Sequence, residues 1–258
     1  MRESGPIGTV RRSRIPGAPL FRTRGKQRTK TAFSSMLAAL MVSTAPILNV
    51  GEITISPVSQ HVTTDAVEFT GTHPRFTGIG DAAAGKRLNA RMAEWEKEAL
   101  ARAKAAAVTM RTDDRSEQRK AEGVFSYEVK RNGGGIASLL FSDYLYAGGA
   151  NGLDTKTGLT FFTVSGETLT LPALFSNSEN GMRRVNSEVN RLLEERGLTS
   201  QLLVADPCVE SGQPFYLTDT CLVIVVRELT WFPHSMGTVE LEIPLSQLQD
   251  CLRTELQP

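Results

Sequence analysis

From Gly51 onward the apolar positions change period several times, and each change marks an element. Ile53 and Ile55 alternate with Thr54 and Ser56, and Val67 and Phe69 alternate with Glu68 and Thr70. Period two predicts two half-buried strands. Gly71-Thr72-His73-Pro74 then predicts a break, leaving His73 as a solvated loop residue. From Asp81 to about Val108, Leu88, Met92, Trp95, Ala99 and Ala103 recur at spacings of three and four, with Arg87, Arg91, Glu94, Glu98 and Arg102 off that stripe. This predicts one long amphipathic helix whose alanine-rich second half either packs closely against a sheet or stands partly exposed. Residues 111 to 122 are nearly all charged or polar and predict a solvent-facing connection.

Val124, Tyr127 and Val129 predict a strand that ends at Asn132-Gly133-Gly134-Gly135, a hairpin signal. The partner runs from Ile136 to Tyr146, a glycine-bearing turn follows, and Leu159 to Val164 predicts a third strand. Short glycine turns between consecutive strands point to an antiparallel meander, because parallel neighbours need long crossovers. After a turn at Ser165-Gly166, Leu169, Leu171, Leu174 and Phe175 lead to a second helix near Ser178, with Asn177 or Ser178 as its cap. Met182, Val185, Val189 and Leu192 form its apolar stripe and Gly197 its stop. Phe215–Leu217 and Leu222–Val226 predict strands, and LVIVV, lacking any polar alternation, predicts a central strand covered on both faces. Val239, Leu241 and Ile243 predict a last half-exposed strand, ended by Pro244, with Leu245–Leu252 as a closing helix. The fold class expected is α+β, an antiparallel β-sheet packed with one long and one shorter helix.

Composition changes this picture in two places. Hydrophobic residues make up 40% of the 258, enough for a sizeable core. Residues 1–30 hold nine Lys or Arg against the single acid Glu3, leaving 20 basic and 27 acidic residues beyond, a net charge of −7. The first thirty residues read as a disordered basic tail, and the remainder would repel nucleic acid and attract a cationic partner. Residues 31–50, TAFSSMLAALMVSTAPILNV, carry no charge. A basic flank before an apolar run fits a cleaved signal peptide, an uncut membrane anchor, or a buried helix of a cytoplasmic protein; export by either of the first two routes is the expectation. Cys208, Cys221 and Cys251 lack metal-ligand spacing. Either Cys208 and Cys221 are bridged or the thiols are free and buried.

Local chemistry is sparse. His61, His73 and His234 stand apart, and no nucleophile elbow, phosphate loop or HExxH motif is present, so neither cofactor nor metal is expected. Two loops stand out. Ala147-Gly148-Gly149-Ala150-Asn151-Gly152 is either a structural hairpin turn or, with Tyr144 and Tyr146, a contact surface. Trp231-Phe232-Pro233-His234-Ser235-Met236-Gly237 is rich in large apolar groups for a connection, which suits either a partner patch or a cap on the core.

Two stretches resemble a known family. YLYAGGANG with FFTVSGETLTLPALF, and FYLTDTCLVIVVRELTWFPHSMGTVELEIPLSQL, are similar to two successive motifs of the extracytoplasmic domain of RsiV-like anti-sigma factors, which senses lysozyme. VEFTGTHPRFTGIGD and LNARM resemble the companion domain that precedes the catalytic part of PdaC-like peptidoglycan deacetylases. The resemblance spans about residues 51–250, with a PdaC-like part over 51–112 and an RsiV-like part over 113–258, expected to fold as one unit. It implies a non-catalytic cell-envelope binding domain, secreted or membrane-anchored. The implied contact residues are Tyr144, Tyr146, Gly148, Gly149, Asn151 and Gly152 in the first loop and Trp231, Pro233, His234 and Gly237 in the second. The implied partner is a cationic protein such as lysozyme, or cell-wall glycan, with membrane contact only through residues 31–50. An enzyme or accessory domain acting on cell-wall glycan is the alternative. The chain departs from the family pattern at Asn151, where the pattern has histidine, at Leu229 and His234, where it has tyrosine, and at Ala173, where it has an acid. The residues before position 31 are too few for a sigma-binding domain, so no anti-sigma activity is expected.

Overall fold

The computed structural model describes residues 51–111 and 119–257, all within one compact unit, Pro46–Pro258. The expectations for residues 1–30 and 31–50, and most of the polar connection after Arg111, lie outside the described residues. Among the described residues no helix is long and apolar enough to cross a membrane. In chain order the elements are β1 (Thr54–Thr63), β2 (Val67–Thr77), α1 (Ala82–Arg111), β3 (Ala121–Gly133), β4 (Ile136–Tyr146), β5 (Leu153–Phe162), α2 (Ser178–Glu195), β6 (Phe215–Leu217), β7 (Cys221–Val226) and β8 (Val239–Pro244). The α+β class and the two helices, one long and one shorter, are as expected.

Strands β1 to β5 lie side by side in chain order in a five-stranded sheet. All its pairings are antiparallel except β2 with β3, which run parallel from Val67↔Ala121 to Gly71↔Phe125. That pairing departs from the all-antiparallel expectation, and α1 explains it, since a helix is the long crossover that parallel neighbours require. The Asp81 carboxylate caps α1, accepting from the backbone N–H of Ala83 at 2.8 Å and of Ala84 at 3.1 Å. The Ala84 and then the Ala83 N–H groups hold that carboxyl below its ordinary range. Leu88, Met92, Ala99 and Ala103 are buried on the sheet side, in one core with Phe69, Phe76, Leu139, Phe141 and Phe161. Gly134 and Gly135, both at positive φ, turn β3 into β4 as the sequence predicts.

The second sheet has the order β6-β7-β8 and is antiparallel. Its central strand, β7, is covered on both faces: Leu222, Ile224 and Val226 meet the α2 core, while Val223 and Val225 meet Leu140 and Tyr216. Helix α2 starts at Asn177, whose side chain accepts from Asn180 N–H at 2.9 Å, and stops before Gly197 at φ 66. Its Val185, Val189 and Leu192 are buried as the stripe predicts. The two sheets meet where a Cβ on Gly158 would lie 1.7 Å from the Phe215 carbonyl oxygen. There Ser138 Oγ accepts from Leu217 N–H at 2.8 Å and shares a hydrogen bond with Thr160 Oγ1 at 2.7 Å.

Other expectations are corrected. β2 does not end at Gly71-Thr72-His73-Pro74 but runs through it, with Pro74 opposite Pro57. Neither proline can donate, so that pair needs no ladder bond. What changes there is the phase of alternation: Phe69 and Phe76, seven residues apart, reach the same core. His73 is therefore a strand residue, paired with Glu96 of α1 and largely buried. β5 starts at Leu153 rather than Leu159, and the strand β3 starts at Ala121, inside the expected connection. Leu245–Leu252 forms only a 3-10 turn at Leu245–Gln247 followed by further turns. Cys208, Cys221 and Cys251 are all free, Cys208 exposed and Cys251 buried.

Candidate functional site

Consecutive residues of a strand point to opposite faces, so Asp143 faces α1 while Tyr144 faces away. Tyr144 stands opposite Val124 of β3 and Asp154 of β5, and Tyr146 opposite Glu122. Ser142, on the same face, donates to Asp154 Oδ1 at 2.6 Å, and Lys156 pairs with Asp154 at 2.7 Å. The 147–152 turn folds back over this face. A Cβ on Gly152 would fall 2.3 Å from Tyr144 Cζ, so the phenol lies directly against that glycine backbone. Gly148, at φ 92, packs on Met110 near the end of α1.

The result is an open cleft of about 800 Å³ lined by Tyr144, Tyr146, Ala150, Asn151 and Gly152 on one side. Its other side is Glu68, Arg119, Lys120 and Glu122. Arg119 donates to the Tyr146 hydroxyl at 3.1 Å. Two phenols, one amide, two cations and two carboxylates give a surface rich in directional donors and acceptors. Among the described residues no group of three or more His, Cys, Asp or Glu is placed to hold a metal.

Of the ten residues singled out in the sequence, Tyr144, Tyr146, Asn151 and Gly152 line this cleft, and Gly148 and Gly149 belong to its turn. The second loop does not reach it. Trp231 is 8% exposed and packs with Phe232 into the core of α2 and the second sheet. Its carbonyl accepts from Leu203 N–H at 2.8 Å. His234 pairs with Glu228, whose side chain is buried, and Pro233 and Gly237 bracket the single 3-10 turn His234–Met236. Leu229 is the one described non-glycine residue at positive φ, 60°, and it is exposed.

Sequence reasoning missed the cationic and acidic wall of the cleft. Glu68 and Glu122 are in register across the parallel β2–β3 pair, a pairing that no local pattern shows. It also missed Glu96, which is 2% exposed and contacts His73, with its Oε1 lacking any hydrogen-bond partner. A signal was available. Glu96 is four residues from Met92 and three from Ala99, on the apolar stripe itself. A Cβ on Gly71 would collide with its carboxylate, so glycine at that point of β2 makes the room.

The family model described as deacetylase PdaC matches residues 60–154, a span that holds β2, α1, β3, β4 and the 147–152 turn. No curated protein matches the chain at a significant level. Among solved structures, a DUF3298 family member from Bacteroides fragilis is similar with a TM-score of 0.62 at 15% identity, over 81% of this chain and 96% of that one. A DUF3298 family protein from Pseudomonas aeruginosa PAO1 is similar with a TM-score of 0.58, also at 15% identity, over 80% of this chain and 97% of its own. At such identity the likeness to those structures concerns the fold alone, and the likeness to the PdaC model concerns residues 60–154.

Proposed function

We propose that the protein is a non-catalytic binding domain working outside the cytoplasmic membrane, which takes a cationic protein such as lysozyme at the 144–152 cleft. The observation that carries this reading is the convergence of Tyr144, Tyr146 and Asn151 on one open cleft, with the Tyr144 ring seated on Gly152. Aromatic side chains held by packing offer contact area at little entropic cost. The likeness of Tyr144, Tyr146 and the glycines of the turn to the lysozyme-sensing motif supports the choice of partner, with Asn151 standing where the motif has histidine. The net charge of −7 beyond residue 30 supplies long-range attraction, while the mixed lining of Glu68, Glu122, Arg119 and Lys120 supplies direction rather than net field.

Titrating residues 46–258 with lysozyme at low and at physiological salt tests this. Saturable binding is expected, with an association rate that falls as the Debye length shrinks to about 10 Å near 0.1 M salt. Joint Tyr144→Ala and Tyr146→Ala should weaken it at least tenfold. Absence of binding at both salts overturns the lysozyme reading.

A further inference from the structure

The α1 face of the first sheet holds a second concavity, a groove of about 490 Å³ between α1 and strands β3, β4 and β5. It opens on the opposite face from the cleft, since Asp143 lines the groove and Tyr144 the cleft. Its floor is aromatic. Phe125 and Phe141 stack with centroids 5.8 Å apart, and the partly exposed Trp95 stands edge-on to Phe141 at 5.1 Å.

The rim is polar and balanced. Arg102 pairs with Asp143, and Arg91 pairs with Glu98 at 3.2 Å while its guanidinium sits 5.2 Å from the Trp95 centroid. Thr155 and Thr157 add two hydroxyls from β5. Two cations and two carboxylates cancel, so the groove gives no surplus field to an ion. A wholly apolar ligand would strip water from four charged groups and two hydroxyls without replacing those hydrogen bonds, a large cost. A ligand with an apolar face and an equatorial ring of hydroxyls meets both requirements. Its C–H face would lie on the indole face that Arg91 leaves uncovered, with its hydroxyls towards the carboxylate, the guanidinium and the threonines. The volume falls in the range of small-molecule sites, roughly 300–1,000 Å³.

We propose that this groove binds a neutral pyranose unit of an oligosaccharide, with Trp95 as the stacking wall and Asp143 with Arg102 as the hydroxyl-binding pair. The site is independent of the protein-binding cleft on the other face.

The full chain supplies its own reporter, because it has two tryptophans and Trp231 is buried in the other core. In a Trp231→Phe background, Trp95 emission would be followed while chitotetraose, cellotetraose or maltotetraose is added, with calorimetry on the unsubstituted protein in parallel. At least one of these should give a saturable change, with a dissociation constant in the micromolar to low millimolar range. Trp95→Ala should weaken calorimetric binding at least tenfold and Asp143→Asn several-fold, while Tyr144→Ala leaves it unchanged. If Trp95→Ala fails to fold, the Thr155→Val and Thr157→Val double variant, on the rim, should weaken binding several-fold at unchanged melting temperature. No saturable binding of any of the three sugars overturns the proposal. So does binding that survives the groove substitutions, or tighter binding of a polyanion such as heparin at the same groove. Failure of lysozyme to bind the cleft would leave the sugar result standing, so the two readings fail separately.

Discussion

Strand β4 is buried over one half and partly exposed on both faces over the other, with β5 beside it, and the two halves differ in chemistry. In Ile136–Phe141 every residue is buried, whereas Ser142–Tyr146 are all partly exposed. Over the first half the second sheet covers the face away from α1, with Leu140 packed on Tyr216, Val223 and Val225. Over the second half the same face carries Ser142, Tyr144 and Tyr146 and lies open as the cleft. The covered half shows what fastening a second sheet demands: a glycine for close approach at Gly158, and hydroxyls only where each has a protein partner, as at Ser138 and Thr160. The open half retains hydroxyls, phenols and charges whose remaining bonds water can complete. A short strand pair thus forms a structural joint at one end and the wall of an open cleft at the other.

Gly158→Val should break the covered half first. A Cβ there would lie 1.7 Å from the Phe215 oxygen, backbone that cannot rotate away, so the sheets must separate. Overpacking of this kind costs about 1–3 kcal/mol, occasionally more. The expected outcome is the largest fall in melting temperature of the variants considered, roughly 2–4 °C per kcal/mol for a chain of this size. An unshifted thermal transition would show that the two sheets are not tightly joined at this point.

Paired serine substitutions sharpen the contrast. Ser138→Ala removes the acceptor of Leu217 N–H and the partner of Thr160 Oγ1, leaving buried groups unsatisfied at a cost of about 1–3 kcal/mol. Ser142→Ala, four residues along the same strand, removes one bond to a partly exposed Asp154, and should cost under about 0.5 kcal/mol. Denaturant midpoints of the two variants would decide it. Equal losses would mean that the open half is as structural as the covered one.

How much of this could be read in advance follows the range of the interactions. Helix α2 is legible because its cap at Asn177, its stripe from Met182 to Leu192 and its stop at Gly197 all lie within one short segment. β7 is legible because burial on both faces needs no register knowledge, only a run without polar residues. The half of the cleft that comes from a single turn, Tyr144, Tyr146, Asn151 and Gly152, is legible for the same reason. Glu68, Arg119, Lys120 and Glu122 are not, because the parallel β2–β3 pairing brings them there across the whole length of α1. His73-Pro74 misleads because proline and glycine mark both breaks and shifts of phase, and only the core position of Phe76 tells the two apart. The junction of the two sheets is likewise out of local view, since it brings together Gly158 and Phe215, residues far apart in the chain.

The smallest effect, and the most selective, is a pH dependence confined to the covered side. Tyr216 of β6 is 4% exposed and donates to Glu240 Oε2 at 2.8 Å. Burial first, and then the hydrogen bond to Glu240, raise its hydroxyl pKa above the ordinary value of 10.0. A raised value in the folded state means that the neutral phenol is the form folding favours. Its contribution to stability is complete below pH 10 and declines as the pH rises above it, where the unfolded chain loses the proton first. Tyr216→Phe should flatten the alkaline limb of a stability-against-pH curve measured between about pH 9 and 11, after allowance for the lost bond to Glu240 at neutral pH. An unchanged limb in the Tyr216→Phe protein would assign the alkaline loss to other groups and remove Tyr216 as a proton-linked contact within the second sheet.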